Sequence, residues 1–295
     1  NFNFLGYVHS LLDLLGEKYC RVTAVIPNYN YEKYLQERIE SVLLQDYPVY
    51  EVILLDDVSS DNSIEMMEQY VDQNPLQIKL VKNKQNSGNV FNQWEKGCNL
   101  ATGEYIWIAE ADDLSKPTFL SRIMDKMSSD SSIVLGYSQS YMIDENGKIT
   151  AENYFCYTDD VDDQIWKNDY VRDSKDEITK RMSAKNTIPN VSAVVLKNRN
   201  FDNMFKAAKK FRVAGDWAFY ISLLECGGKV AFIAESLNYH RRHSNSVTTD
   251  LNAKTHFEEI CQMQDYIISS YKDEVDIDKI MVYRKNVKTI LGVKD

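Results

Sequence analysis

The stretch RVTAVIPNYNYEKYLQERIESVLLQDYPVYEVILLDDVSSDNS, residues 21–63, decides the fold. It opens on a β-branched apolar run, Arg21 to Ile26, stopped by Pro27, the pattern of a strand buried on both faces. Within 31–45, apolar residues recur at helical spacing: Tyr34, Leu35, Ile39, Val42 and Leu43. A second apolar run, Glu51 to Leu55, ends on the acidic turn Asp56-Asp57. The alternation continues outward. A helix is predicted over 61–71, with Asn62 or Ser63 as cap and Asp61 as a capping carboxylate. A strand follows over 78–81, then a helix over 90–101 closed by Gly103 as C-cap, then a strand over 105–109. Four strand–helix alternations with short connections predict an α/β fold: an open, mostly parallel central sheet flanked by helices. Such sheets bind ligands beyond the carboxyl ends of their strands. The residues to inspect are therefore Asn28 to Asn30, Asp56 with Asp57, and Glu110 to Asp113.

The second half is less regular. It predicts a helix over 117–127, a strand over 133–143 turning at Asn146-Gly147, and an acidic loop over 157–176. Further on come a strand over 191–196, a helix over 216–226 ending at Gly227-Gly228, a strand over 230–233, and two C-terminal helices from about 254. Residues 1–19 read as an amphipathic helix, a lead-in or the end of a preceding domain. With no internal repeat and no Gly- or Pro-rich linker, 20–295 reads as a single unit. The first residue is Asn1, so further domains of a longer chain are left open.

Composition narrows the function classes. Among 295 residues, 34 Lys and Arg face 44 Asp and Glu, a formal charge of −10. That argues against a nucleic-acid binder, which needs a basic face, and against a polybasic membrane anchor. No run approaches the ~20 apolar residues of a spanning helix. Five cysteines, an odd number with wide spacing and no C-x-x-C, point to a reducing, cytoplasmic compartment. The 19 tyrosines suit a carbohydrate or nucleotide binder. No G-x-G-x-x-G, P-loop, G-x-S-x-G elbow or H-E-x-x-H occurs.

Three carboxylates in four residues, Glu110-Ala111-Asp112-Asp113, end an apolar strand. Their repulsion is tolerable if a divalent cation sits among them, and all-oxygen ligation favours Mg²⁺ or Mn²⁺ shared with a diphosphate. The competing reading is a solvated turn with Asp113 capping the next helix. Asp57 could accept hydrogen bonds from a base or ribose, against a helix-capping role for the segment Asp56–Asp61, and Tyr29 could stack on a base, against a polar turn.

Taken together, VTAVIPNYNYEKYLQERIESVLLQDYP, EVILLDDVSSDNS, and NSGN with LATGEYIWIAEADD resemble the family 2 glycosyltransferases of the GT-A fold, bacterial surface-polysaccharide type. The resemblance is strong over 20–130 and continues through AGDWAFY (214–220) and YHRRHSNSVT (239–248). It implies a nucleotide-binding half (20–115), an acceptor half (116–250) and C-terminal helices (251–295). By position, Pro27, Tyr29 and Asp57 would contact the nucleotide, and Asp112 and Asp113 the metal or ribose. Glu110 replaces the first Asp of the family's Asp-x-Asp motif, so it either reaches the ion or stands behind it. Asp216 matches the general base, with a helix cap as the competing role. His243 matches a further metal ligand in some relatives, against a surface-loop histidine, and Arg242 would grip the diphosphate. Asn190 and Trp217 are expected on the acceptor side, against polar loop and core. The loop at 157–176 and the C-terminal helices would form an acceptor lid.

The implied activity is metal-dependent, inverting transfer of a sugar from a UDP or dTDP donor to a hydroxyl of a glycan or lipid-linked glycan in polysaccharide synthesis. Mn²⁺ or Mg²⁺ is the implied cofactor. Peripheral contact at the inner face of a membrane is left open. Two alternatives stand beside it: an inactive sugar-nucleotide or glycan binding module of a larger assembly, and a nucleotidyltransferase.

Overall fold

Every residue of β1 (Val22–Asn28) is buried, which is why its sequence is a continuous apolar run. Val22, Ala24 and Ile26 pack on one face with Leu35, Ile39 and Val42 of α1 (Glu32–Leu43). Val25 packs on the other face with Phe91, Trp94 and Cys98. The first half is completed by β2 (Glu51–Asp56), α2 (Ser63–Gln73), β3 (Ile78–Lys82), α3 (Val90–Leu100) and β4 (Tyr105–Ile108), close to the predicted bounds. The computed structural model describes residues 19–243 and 252–293. The helix expected over 1–19 and the end of the 239–248 motif fall almost wholly outside them.

Two local expectations change. Asn62 stands at the N-cap of α2 without a side-chain cap bond. The capping oxygens come from Asp61, which accepts from the Ser63 N–H at 3.1 Å and from the Glu32 N–H of α1 at 2.9 Å. Gly103 is not a C-cap in the left-handed region: a Cβ there would lie 2.8 Å from Arg21 O and Thr23 N, so glycine is required by close backbone approach.

The second half comprises β5 (Leu114–Ser115), α4 (Phe119–Ser129), β6 (Ile133–Ile143), β7 (Ile149–Ala151), the short α5 (Phe155–Thr158), β8 (Tyr170–Asp173) and α6 (Ser174–Lys180). Then follow β9 (Val194–Lys197), α7 (Asp202–Ala208), α8 (Gly215–Leu224), β10 (Lys229–Arg241), α9 (Ala253–Ser270) and α10 (Ile277–Ile290). The acidic segment 157–176 is not an open loop: β8 pairs antiparallel with β10, and Trp166 is buried.

One open sheet runs β3-β2-β1-β4-β9-β6-β10-β5. β1 to β4 pair in parallel, β9 is antiparallel to both β4 and β6, and β6 is parallel to β10. Two reversals restore the direction, so β1, β2, β4, β6 and β10 all end on one edge. That edge receives Asn28, Asp57, Glu110 and the segment Arg241–His243. The order β3-β2-β1-β4 also changes direction between β1 and β4, where such sheets open a crevice. Among the described residues, no helix is long and apolar enough to cross a membrane.

Candidate active site

A cavity of about 1080 Å³ opens on this edge. Its wall includes Pro27, Asn28 and Tyr29 after β1, Asp57 after β2, Asn86 to Phe91 at the start of α3, Glu110 after β4, and His243 after β10. Topology thus gathers on one surface residues separated by up to 216 positions.

Tyr29 is 50% exposed and presents its ring to the cavity rim. Asp57 is buried and held by the loop before α3. Its Oδ1 accepts from Asn83 Nδ2 at 2.6 Å, and Ser87 donates through N–H and Oγ, the latter at 2.7 Å to Oδ2. The Ser87 N–H reaches both oxygens, at 2.9 and 3.1 Å, so three donors make four hydrogen bonds to the carboxylate and a ligand would share or displace one of them. Pro27, Tyr29 and Asp57 therefore meet as the resemblance implied.

The fold separates the three carboxylates of the acidic turn. Glu110 Oε1 accepts from the Trp94 indole N–H at 2.5 Å; burial, reinforced by the charge of Asp112, pushes its pKa up to about 8. Asp113 turns inward, accepting from the Arg241 N–H at 2.8 Å and from Asn190 Nδ2 at 2.9 Å. Its oxygens fasten β10 and the 186–190 segment to the turn, which departs from the metal-ligand role expected of it. Asp112 Oδ2 lies 2.9 Å from His243 Nε2. The imidazole is flanked by Tyr31 and Tyr34, ring centroids 5.8 Å away in each case. Beneath the turn, the fully buried guanidinium of Arg38 lies over Trp107 at 5.0 Å. Burial lowers its pKa to about 10, against the opposing pull of Asp113, Asp112 and Glu110.

Asp112 and His243 fit a divalent cation. Two ligands at right angles around an octahedral ion at ~2.1 Å sit about 3 Å apart, the spacing seen here. Among the described residues, no group of three or more His, Cys, Asp or Glu forms a metal cage. A hard cation that takes one or two protein ligands and completes its shell with phosphate oxygens and water is compatible with that.

Asp216 occupies the first turn of α8. Trp217 N–H donates to Oδ1 at 2.7 Å and Asn186 Nδ2 to Oδ2 at 2.9 Å; burial raises its pKa to about 6. It does not itself line the cavity. Its neighbour Gly215 packs against Phe91, a wall residue: a Cβ on Gly215 would sit 2.3 Å from that ring. The strap 186–190 ties the two acidic centres, Asn186 holding Asp216 and Asn190 holding Asp113. Four residue steps span no more than about 14 Å. The buried Tyr220 hydroxyl feels the charge of both Asp216 and Glu110, which, after burial, raise its pKa.

Three other expected residues are placed differently. Arg242 is exposed and absent from the cavity wall; its neighbour Arg241 is buried, with Nε bonded to Asp112 O at 2.7 Å and its guanidinium 4.4 Å from the Tyr34 ring centroid. Asn190 is buried, bonded to Asp113, and absent from the cavity wall. Trp217 is buried, its indole N–H donating to Met182 O at 3.0 Å, so it belongs to the core. The C-terminal helices act as a clamp: the buried Glu259 of α9 accepts the N–H groups of Arg212, Val213 and Ala214 at 2.9, 2.7 and 3.0 Å. Sequence reading passed over Lys33, Lys209, Lys210 and Arg212, which also line the cavity. The run Lys209-Lys210-Phe211-Arg212 in an acidic chain was the available signal.

The family model described as Glycosyl transferase family 2 matches residues 23–188, more than half of the chain. The chain belongs to that family. This glycosyltransferase is 27% identical over 278 residues to an uncharacterized glycosyltransferase of Nostoc sp., covering 90% of this chain and 81% of that one. It is 32% identical over 95 residues to the poly(ribitol-phosphate) beta-N-acetylglucosaminyltransferase TarS of Staphylococcus aureus, covering 32% of this chain and 16% of TarS. In structure it resembles S. aureus TarS 1-349 in complex with UDP-GlcNAc, with a TM-score of 0.66 at 15% identity, covering 93% of this chain and 76% of that one. Against TarS 1-349 in complex with UDP the TM-score is 0.60 at 16% identity, covering 84% of this chain and 65% of that one. The likeness confirms the GT-A fold of the family 2 enzyme.

Proposed function

We propose that this family 2 enzyme transfers a sugar, with inversion, from a nucleoside diphosphate donor to a hydroxyl of a glycan acceptor in polysaccharide synthesis. The observation that carries the reading is the single cavity with Asp57 and Tyr29 at the ends of β1 and β2, and Glu110 and His243 at the ends of β4 and β10. A uridine donor is favoured, since the structural neighbour TarS is described with UDP and with UDP-GlcNAc. Family membership sets the nucleotidyltransferase alternative aside.

In this reading Tyr29 stacks on the base, and Asp57 accepts from the base or ribose in place of one of its loop donors. Asp112 and His243 would hold Mn²⁺ or Mg²⁺, which would stabilise the departing diphosphate as a Lewis acid. Asp216 takes the proton of the acceptor hydroxyl as it attacks the anomeric carbon. An alcohol near pKa ~15 is a poor nucleophile until a base removes its proton during attack. Burial raises the basicity of Asp216 while Asn186 and Trp217 N–H keep its oxygens oriented. Glu110 stays fixed by Trp94 and shapes the wall beside the donor sugar.

Calorimetric titration of UDP with Mn²⁺, paired with donor turnover, tests this. Wild type should bind UDP. Asp216→Asn should bind UDP equally well while losing turnover by about 10²–10⁴-fold, the usual worth of a general base. Absence of UDP binding to folded wild type, or full turnover in Asp216→Asn, would overturn it.

A further inference from the structure

The cavity wall carries four cations, Lys33, Lys209, Lys210 and Arg212, in a chain whose formal charge is −10. They fall into two groups. Lys33 lies over Tyr34 at 5.0 Å, and Tyr34 abuts His243, so Lys33 belongs to the end where the Asp112–His243 pair stands. The other three lie on the α7–α8 loop, just ahead of Asp216 and on the side of the α3 N-terminus, where Gly215 meets Phe91. Lys209 is neutralised by Glu95 of α3. Among the described residues, no carboxylate stands within ion-pair reach of Lys210 or Arg212.

This loop is fixed. Glu259 holds the backbone N–H groups of Arg212, Val213 and Ala214, so that carboxylate is spent on the main chain and leaves the Arg212 guanidinium free. Both side chains are exposed on this fixed backbone, and a guanidinium fork matches oxyanions in pairs. At about 1080 Å³ the cavity also exceeds the ~300–1,000 Å³ usual for a single small ligand, which leaves room for a second substrate beside the donor. A surface this acidic would repel a polyanion unless positive charge were set where it enters.

We infer that Lys210 and Arg212 form an acceptor subsite for a polymer that carries oxyanions, phosphodiester or carboxylate, and that they are not the grip on the donor diphosphate. This rests on the glycosyltransferase reading above. The shared chemistry is an oxyanion repeated along the acceptor, held on the Lys210–Arg212 side while its hydroxyl reaches Asp216.

The test uses three probes of similar length: an oligo(glycerol phosphate), an oligogalacturonate and a neutral malto-oligosaccharide. Each is titrated into the protein with UDP saturating, for wild type and the double variant Lys210→Ala/Arg212→Ala, with thermal melting to confirm folding. The UDP Kd is measured separately for both proteins. At least one anionic probe should bind wild type and weaken about tenfold in the double variant and on raising salt, while the neutral probe does not bind and the UDP Kd stays within twofold. Whichever anionic probe binds more tightly identifies phosphate or carboxylate as the recognised group. Binding of neither anionic probe, equal binding by the double variant, or a UDP Kd weakened in step would each overturn the subsite. Failure of wild type to bind UDP would instead sink the underlying donor reading.

Discussion

Replacing Glu259 should disable the enzyme from a helix that touches no substrate. One buried carboxylate receives three backbone N–H groups just ahead of α8, at 2.7–3.0 Å. Each hydrogen bond to a charged acceptor contributes about 1.5–3 kcal/mol, and the three share one acceptor group, so they do not simply add. Glu259→Ala also removes a negative charge from the positive end of α8, worth up to ~1 kcal/mol. Ala214 is buried, and its N–H would be left without a partner. Together these give a loss of about 3–5 kcal/mol, and at roughly 2–4 °C per kcal/mol for a chain of this size the melting temperature should fall by about 6–20 °C. Glu259→Gln keeps one acceptor oxygen and should lose about half as much. Because Asp216 follows Ala214 by two residues, folded Glu259→Gln should show a lower kcat while the UDP Kd, set by Asp57 and Tyr29, holds. Thermal melting and steady-state kinetics on both variants decide the matter. A shift under about 2 °C for Glu259→Ala, or an unchanged kcat in Glu259→Gln, would refute the clamp.

The pKa of Asp216, raised by burial to about 6, predicts that kcat/KM falls as pH drops through about 6 rather than through 4, and that this limb disappears in Asp216→Asn; a limb near 4 in wild type would count against Asp216 as base. Ionised Asp216 is disfavoured in the folded state at neutral pH, by at most ~3 kcal/mol for a shift of this size. Asp216→Asn, which keeps one of two acceptors, should therefore melt higher at pH 7 and lose that advantage below pH 4, which paired melts at the two pH values would check. Val58, β-branched, holds φ +67° in the turn after Asp57; Val58→Gly should relieve ~1–2 kcal/mol of strain against ~0.5–1 kcal/mol of added chain entropy and raise the melting temperature slightly, with a fall as the contrary result. Mn²⁺ titrated into protein without nucleotide should bind at least tenfold more weakly than with UDP present, since the described residues supply two ligands; equal affinity would place the ion elsewhere.

The first half was legible because its strands are buried on both faces and announce themselves as unbroken apolar runs, each ending on the polar residues that line the cavity. The second half resists the same reading for identifiable reasons. β10 was visible only over 230–233 because bulges near Ile233, Ser236 and Asn238 break its two-residue alternation. Those bulges also decide which of two adjacent arginines turns inward, so sequence alone pointed to Arg242 where the structure buries Arg241. α8 is apolar almost all round, and in such a helix an aromatic beside an acidic first-turn residue belongs to the core, as Trp217 does. Lys210 and Arg212 follow a helix end, where basic residues ordinarily read as dipole partners in solvent; the fold sets them in the cavity wall.

The acidic turn shows how far composition can mislead about what holds a cluster of carboxylates together. Glu110, Asp112 and Asp113 read as one cage for a cation, because three adjacent negative charges need a common counter-charge. The fold gives each its own partner: the Trp94 indole for Glu110, the Arg241 N–H and Asn190 for Asp113, and His243 for Asp112, with the Arg38 guanidinium buried beneath all three. Their repulsion is met by protein groups, so no ion is needed to keep the turn folded. What remains for a metal is one carboxylate and one imidazole, too few ligands for tight capture unaided. In the reaction proposed above the missing ligands would come from the diphosphate, and cation and donor would then bind as a unit by mutual linkage.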